Sequence, residues 1–163
     1  MKKILTGILA FATVFCLCAP CFAAEADAAY TISVSGHTLD LSGLPVAPYA
    51  QDGTIMVPLR KIGEALGYKI GWDAKTGAIT VDDEYIQKAT LYDGTAVVVF
   101  EGKLSVINMS REIENSVETV IYGGCTYVPL EFFQEFFNDT AVEGTAVTIA
   151  PSICEISSSY LER

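Results

Sequence analysis

Thr54-Ile55-Met56-Val57-Pro58-Leu59-Arg60-Lys61-Ile62-Gly63-Glu64-Ala65-Leu66-Gly67 has a counterpart in Cys125-Thr126-Tyr127-Val128-Pro129-Leu130-Glu131-Phe132-Phe133-Gln134-Glu135-Phe136-Phe137-Asn138, at a constant offset of 71 residues. Val57 and Val128 each precede a proline and are held extended, while Pro58 and Pro129 suit the first turn of a helix, where no N–H is needed. Each stretch therefore predicts a strand running directly into a helix. Leu59, Ile62 and Leu66 fall at i, i+3 and i+7, as do Leu130, Phe133 and Phe137, giving one apolar face per helix. Gly67 and Asn138 stand where a left-handed C-cap is expected.

Beyond each helix the apolar period drops to two. Tyr68 to Trp72 and Ala78 to Val81 flank the turn formers of residues 73–77, and Thr140 to Glu143 and Ala146 to Ile149 flank Gly144-Thr145, so a β-hairpin is predicted after each helix. Gln51-Asp52-Gly53 and Gly123-Gly124 mark turns into the strands that reach each proline. Strand-like runs lie between the copies at 85–92, 96–100 and 103–108, an opening pair at 31–35 and 38–41, and 109–117 reads equally as loop or short helix. The fold class is α+β: two ββαββ-like half-repeats, a mainly antiparallel sheet with two short helices packed on it. The repeat cores lie near 54–81 and 125–149.

Residues 1–23 form a separate object. Lys2 and Lys3 precede an uncharged run from Ile4 to Cys18, short of the roughly 20 residues that span a bilayer, and Cys21-Phe22-Ala23 supplies small side chains for cleavage. This is the pattern of a signal peptide. Residues 24–29 then read as a flexible N-terminus, 30–150 as the domain and 151–163 as a C-terminal tail. With the leader's two lysines removed, the formal charge of −10 becomes −12. That charge argues against nucleic acid and repels an anionic membrane. Three of the 5 Cys leave with the leader, so Cys125 and Cys154 are a candidate disulfide pair in an oxidising compartment, with two unpaired thiols as the alternative.

The run from Met56 to Val81, with Val57-Pro58-Leu59-Arg60, Glu64-Ala65-Leu66-Gly67 and Trp72-Asp73, resembles the signature of the copper amine oxidase N-terminal-like domain, also called the stalk domain of exported bacterial proteins. The second copy carries Val128, Pro129, Leu130 and Glu135 of the same pattern, with Glu131 in place of Arg and no Trp-Asp. The resemblance implies a repeated α/β unit acting as a non-catalytic stalk or interaction module. It implies no amine oxidase chemistry, because the copper ligands and the quinone-forming Asn-Tyr motif of that enzyme have no counterpart here.

Other chemistry is thinly represented. His37 is the only histidine, so no base accompanies a Ser or Cys nucleophile. Asp82-Asp83-Glu84 reads as a solvated turn at the end of a hairpin, without the spaced ligands of a calcium cage. No catalytic, cofactor-binding or metal residue is assigned. Phe132 and Phe136 are the candidate interaction surface if the helix face is not wholly buried, Trp72 reads as a core aromatic beside an Asx-turn at Asp73, and Arg60 as the partner of Glu64. The expected function is protein contact or spacing outside the cytoplasm, with an unknown protein partner, no nucleic acid, no membrane anchor after cleavage, and a homo-oligomer as one form of contact. A cell-wall-associated hydrolase or hydrolase inhibitor, and a small-ligand carrier, are the alternatives.

Overall fold

The computed structural model describes residues 29–103 and 110–152. The leader, Cys154, most of the tail and all but the first residue of the strand expected at 103–108 lie outside the described residues. In chain order the elements are β1 (Thr31–Val34), β2 (His37–Thr38), β3 (Tyr49–Gln51), β4 (Thr54–Pro58), α1 (Leu59–Ala65), β5 (Lys69–Trp72), β6 (Ile79–Asp82), β7 (Gln87–Leu91), β8 (Val97–Gly102), β9 (Ser110–Glu114), β10 (Val120–Tyr122), β11 (Cys125–Pro129), a 3₁₀ helix (Leu130–Phe136), β12 (Asn138–Glu143) and β13 (Ala146–Pro151). The ambiguous stretch after residue 109 resolves as β9.

The strands form three sheets, ordered β12-β13-β1-β2, β10-β11-β4-β3 and β5-β6-β7-β8-β9. Every pairing is antiparallel except β1 with β13. β4 and β11, the two strands that end in proline, pair with each other, and Val57 lies opposite Val128.

The phase of that pairing follows from the turn before β11. Gly123 and Gly124 both have positive φ, so the two-residue loop between β10 and β11 is closed by a hydrogen-bonded pair, Tyr122 with Cys125. Bonding alternates along an antiparallel strand, so Tyr127 bonds to β10 while Val128 turns its N–H and C=O to Val57. Pro58 and Pro129 then sit where no cross-strand N–H is called for. β3 ends at Tyr49, opposite Met56, and β10 begins at Val120, opposite Tyr127, so neither proline nitrogen interrupts a ladder on its other side either.

Val57 and Val128 are fully buried in the main core with Ile32, Ile62, Ile79, Leu91, Phe100, Phe132, Phe133 and Ile149. The opposite face of the same sheet holds a small second cluster of Met56, Val117 and Tyr127, in which the Tyr127 hydroxyl donates to the Val46 carbonyl. The central strands are thus covered on both faces.

The two helices end differently. In α1 the 3.6 period holds: Leu59 and Ile62 are buried, Leu66 half-buried, and Gly67 follows at φ +84°. The second helix is 3₁₀, with three residues per turn, so its buried row is Leu130, Phe133 and Phe136 rather than Leu130, Phe133 and Phe137. The left-handed position accordingly arrives one residue early, at Phe137 (φ 57°, ψ 43°), instead of at Asn138. Asn138 still caps the helix, through its side chain: Nδ2 donates to the carbonyls of Phe133 (2.8 Å) and Phe136 (3.3 Å).

A Cβ at Gly67 would meet open space, so its cost there is conformational alone. Gly67→Ala is expected to lower the unfolding free energy by about 1 kcal/mol in urea titrations with an unchanged m-value; no loss would mean that residue 67 is not left-handed.

Candidate functional site

The end of α1 nearest β4, the outer strand β5 and the β10–β11 hairpin enclose a cleft of ≈ 550 Å³, within the range of ligand pockets. Leu59, Ile70, Ile79 and Ile121 make its apolar lining, with Arg60, Lys61 and Glu64 at one side. Trp72 stands at its lip, 53% exposed. The expectation of a core aromatic is therefore corrected: Trp72 pairs with Ile79 at the turn end of the β5–β6 hairpin, where α1 no longer covers the sheet. The Asx-turn beside it is present, with the Lys75 N–H donating to Asp73 Oδ1 at 2.8 Å. That bond is the chief reason the Asp73 carboxyl is held below its ordinary value.

Both strands that border the cleft turn unpaired backbone outward. The Asp73 N–H bonds the Ala78 carbonyl at 2.9 Å, which sets Gly71 and Lys69 bonding across to β6 and leaves the N–H and C=O of Ile70 and Trp72 on the open side of an edge strand. On β11 the alternation derived above turns Thr126 away from β10, opposite the point where the chain has already left β4 for α1. Gly71 is required on β5 because a Cβ there would run into the Thr80 hydroxyl.

The corresponding place beside the second helix is filled. Glu131, which stands 71 residues after Arg60, accepts from the Thr54 hydroxyl at 3.0 Å and from both the N–H (2.8 Å) and the hydroxyl of Ser116. Partial burial acts to raise the Glu131 pKa, but the bonds from Ser116 and Thr54 outweigh it and hold the carboxyl below its ordinary value. Arg60 instead lies along its own helix toward Glu64 at 3.6 Å, both side chains exposed, a pair contributing a few tenths of a kcal/mol.

The remaining motif residues are structural or scattered. Glu135 pairs with Arg111 at 2.7 Å, and the Arg111 guanidinium lies 4.7 Å from the centre of the Phe100 ring. Cys125 is half-buried in the cleft wall, and its candidate partner Cys154 lies outside the described residues. Phe132 (0% exposed) and Phe136 (4%) cannot form a contact surface. They pack on each other at 5.4 Å and on Phe100, because the tighter helix turns both inward and leaves Phe137 outside, 48% exposed. Asp82-Asp83-Glu84 is not simply solvated. Asp83 is buried and its Oδ1 accepts from the N–H groups of Tyr85, Ile86 and Gln87, while Asp82 bonds Lys103 and Glu84 bonds Lys69. Among the described residues no three His, Cys, Asp or Glu side chains come together as metal ligands, and no helix is long and apolar enough to cross a membrane.

The cleft itself went unread in the sequence. Its walls meet only through the β4–β11 pairing, and the single cue was a Trp flanked by Gly and Asp at the end of a strand whose neighbour is a hairpin partner on one side only.

Residues 34–148, spanning most of these elements, match the copper amine oxidase N-terminal domain. The chain belongs to that family. A member of this family is thus built here from two Val-Pro-Leu strands paired back to back, and the family is defined by an N-terminal domain of the enzyme in its name. A curated protein described as "Protease inhibitor", from Brevibacillus choshinensis, is 25% identical over 158 residues, covering 96% of this chain. The chain spans 45% of that relative's length. No solved structure matches the chain significantly.

Two outcomes check this geometry. Phe132→Ala should cost about 3–5 kcal/mol in chemical denaturation, as for a buried aromatic, whereas a surface contact residue would change stability by less than about 0.5 kcal/mol. Because the Glu131 pKa is lowered on folding, its stabilisation is present above its unfolded value of 4.5 and lost as pH falls through the folded value. Glu131→Gln should therefore flatten the acid side of the stability profile between about pH 5 and 2; an unaltered slope would show that the Ser116 and Thr54 bonds do not hold in solution.

Proposed function

We propose that this chain is an exported, non-catalytic interaction module, made of two ββαββ-like halves, that contacts another protein outside the cytoplasm through the cleft beside Trp72. Support for the two halves is the register of β4 on β11, each preceded by one strand and followed by a helix and a hairpin. Export rests on the leader-like pattern of residues 1–23. The observation that carries the functional reading is a large aromatic held half-exposed over an open apolar cleft in a domain of this family. Burying Trp72 and the cleft lining against a partner removes apolar surface from water, the dominant favourable contribution to association.

A second reading, inhibition of a hydrolase, is favoured by the similarity to the relative named a protease inhibitor over nearly the whole chain. One experiment separates them. Purified secreted protein is titrated into trypsin, chymotrypsin and subtilisin assays, and in parallel crosslinked on the native cell surface as wild type and Trp72→Ala. The module reading expects unchanged proteolysis and a crosslinked complex lost in the variant. Stoichiometric inhibition in any of the assays would replace it with the inhibitor reading, and identical complexes from both proteins would remove the cleft from the contact.

A further inference from the structure

We propose that the cleft beside Trp72 takes an extended peptide segment of a partner protein, carrying an acidic side chain, which adds as a strand to the open edge of β5. This rests on the interaction-module reading above and names the ligand class of its site. Three independent features select that class.

The first is backbone. Ile70 and Trp72 present two N–H and two C=O groups on the outer side of β5, and Thr126 presents another such pair from β11. Groups alternating every second residue along a strand are matched by another strand and by no compact small molecule. Lys69 is the only charge on β5, and it is held by Glu84, so the edge is not guarded by a free lysine of the kind that blunts other sheet edges.

The second is side-chain surface. Ile70 and Trp72 lie on one face of β5 and overhang the apolar lining, so a bound strand would place every second side chain in the cleft.

The third is charge. Arg60 and Lys61 face the cleft against the single carboxylate Glu64, on a chain whose formal charge is −10. This is a local reversal of sign. An anionic segment is repelled elsewhere and attracted here, which favours an acidic peptide over a basic one. The equivalent place in the second half underlines the point, because there the cation is replaced by Glu131, whose carboxylate closes the space by bonding Thr54 and Ser116. One half of the molecule is sealed and the other is left open with the opposite charge.

Trp72 is the only tryptophan in the chain, so its emission reports on this site alone. The probe is a set of N-acetylated, C-amidated nonapeptides of alternating Val and Thr, with Glu or Lys substituted at each position in turn, titrated to about 1 mM, the weak end of specific affinity. Versions N-methylated at alternate amides, and a β-1,4-linked N-acetylglucosamine tetramer, complete the set. The inference expects a saturable blue shift with at least one Glu peptide. Binding should weaken at least about 10-fold when its edge-facing amides are methylated, and by a similar factor in Arg60→Glu/Lys61→Glu, which alters only exposed side chains. No response to any peptide, equal response to Glu and Lys peptides, indifference to methylation, or a stronger response to the glycan would each overturn it. Surface crosslinking that still depends on Trp72 after such a result would leave the interaction module standing and remove only the strand-addition mode. Loss of both would remove the two together.

Discussion

Val57 and Val128 exchange backbone hydrogen bonds at the centre of the molecule, and the proline that follows each of them dictates how. A proline nitrogen cannot donate, so each strand can join its partner only in the phase that leaves Pro58 and Pro129 at non-bonded positions. That phase places Tyr127 toward β10 and Thr126 toward open space, and it launches the two helices from opposite ends of one strand pair. The hairpins that follow are carried outward to form the edges of two further sheets, one completed by β1 and β2 and the other by β7 to β9. The main core fills the space between them. It draws Val57, Val128, Ile79 and Ile149 from the duplicated segments and Ile32 and Phe100 from the added strands.

The duplicated Val-Pro-Leu stretches made the strand-to-helix joints legible, because the constraint is local: proline acts on its own φ and on the residue before it. The hairpins after the helices were legible for the same reason, through Gly and Asp at their turns. What could not be read was long-range. Nothing in the alternation of β4 or β11 says that they pair with each other, or that β1 runs parallel to β13. The 3₁₀ winding of the second helix was hidden too. Leu130 and Phe133 fit a period of 3.0 as well as 3.6, and only packing of Phe132 and Phe136 on Phe100 decides between them. Trp72 was misjudged for a related reason: its burial depends on where α1 ends over the sheet.

Duplication leaves its mark in what differs. Arg60 and Glu131 occupy matching positions, and the two side chains do opposite things. Glu131 reaches out to the turn after β9 and to β4, tying three parts of the chain together, whereas Arg60 folds back on its own helix and leaves the space before it empty. A symmetric pair would offer two similar grooves on a single body. This one has exchanged the second groove for cohesion. The exposed aromatic likewise falls at unrelated places, on the β5 lip in one half and at the left-handed position after the helix in the other.

Residue-resolved amide hydrogen exchange tests both the pairing and the open edge in one measurement. The account predicts that the Val57 and Val128 amides exchange only with global unfolding, while those of Ile70, Trp72 and Thr126 exchange near the rate of an unstructured chain. Protection of Ile70, Trp72 and Thr126 equal to that of the valine pair, or rapid exchange at Val57 and Val128, would contradict it.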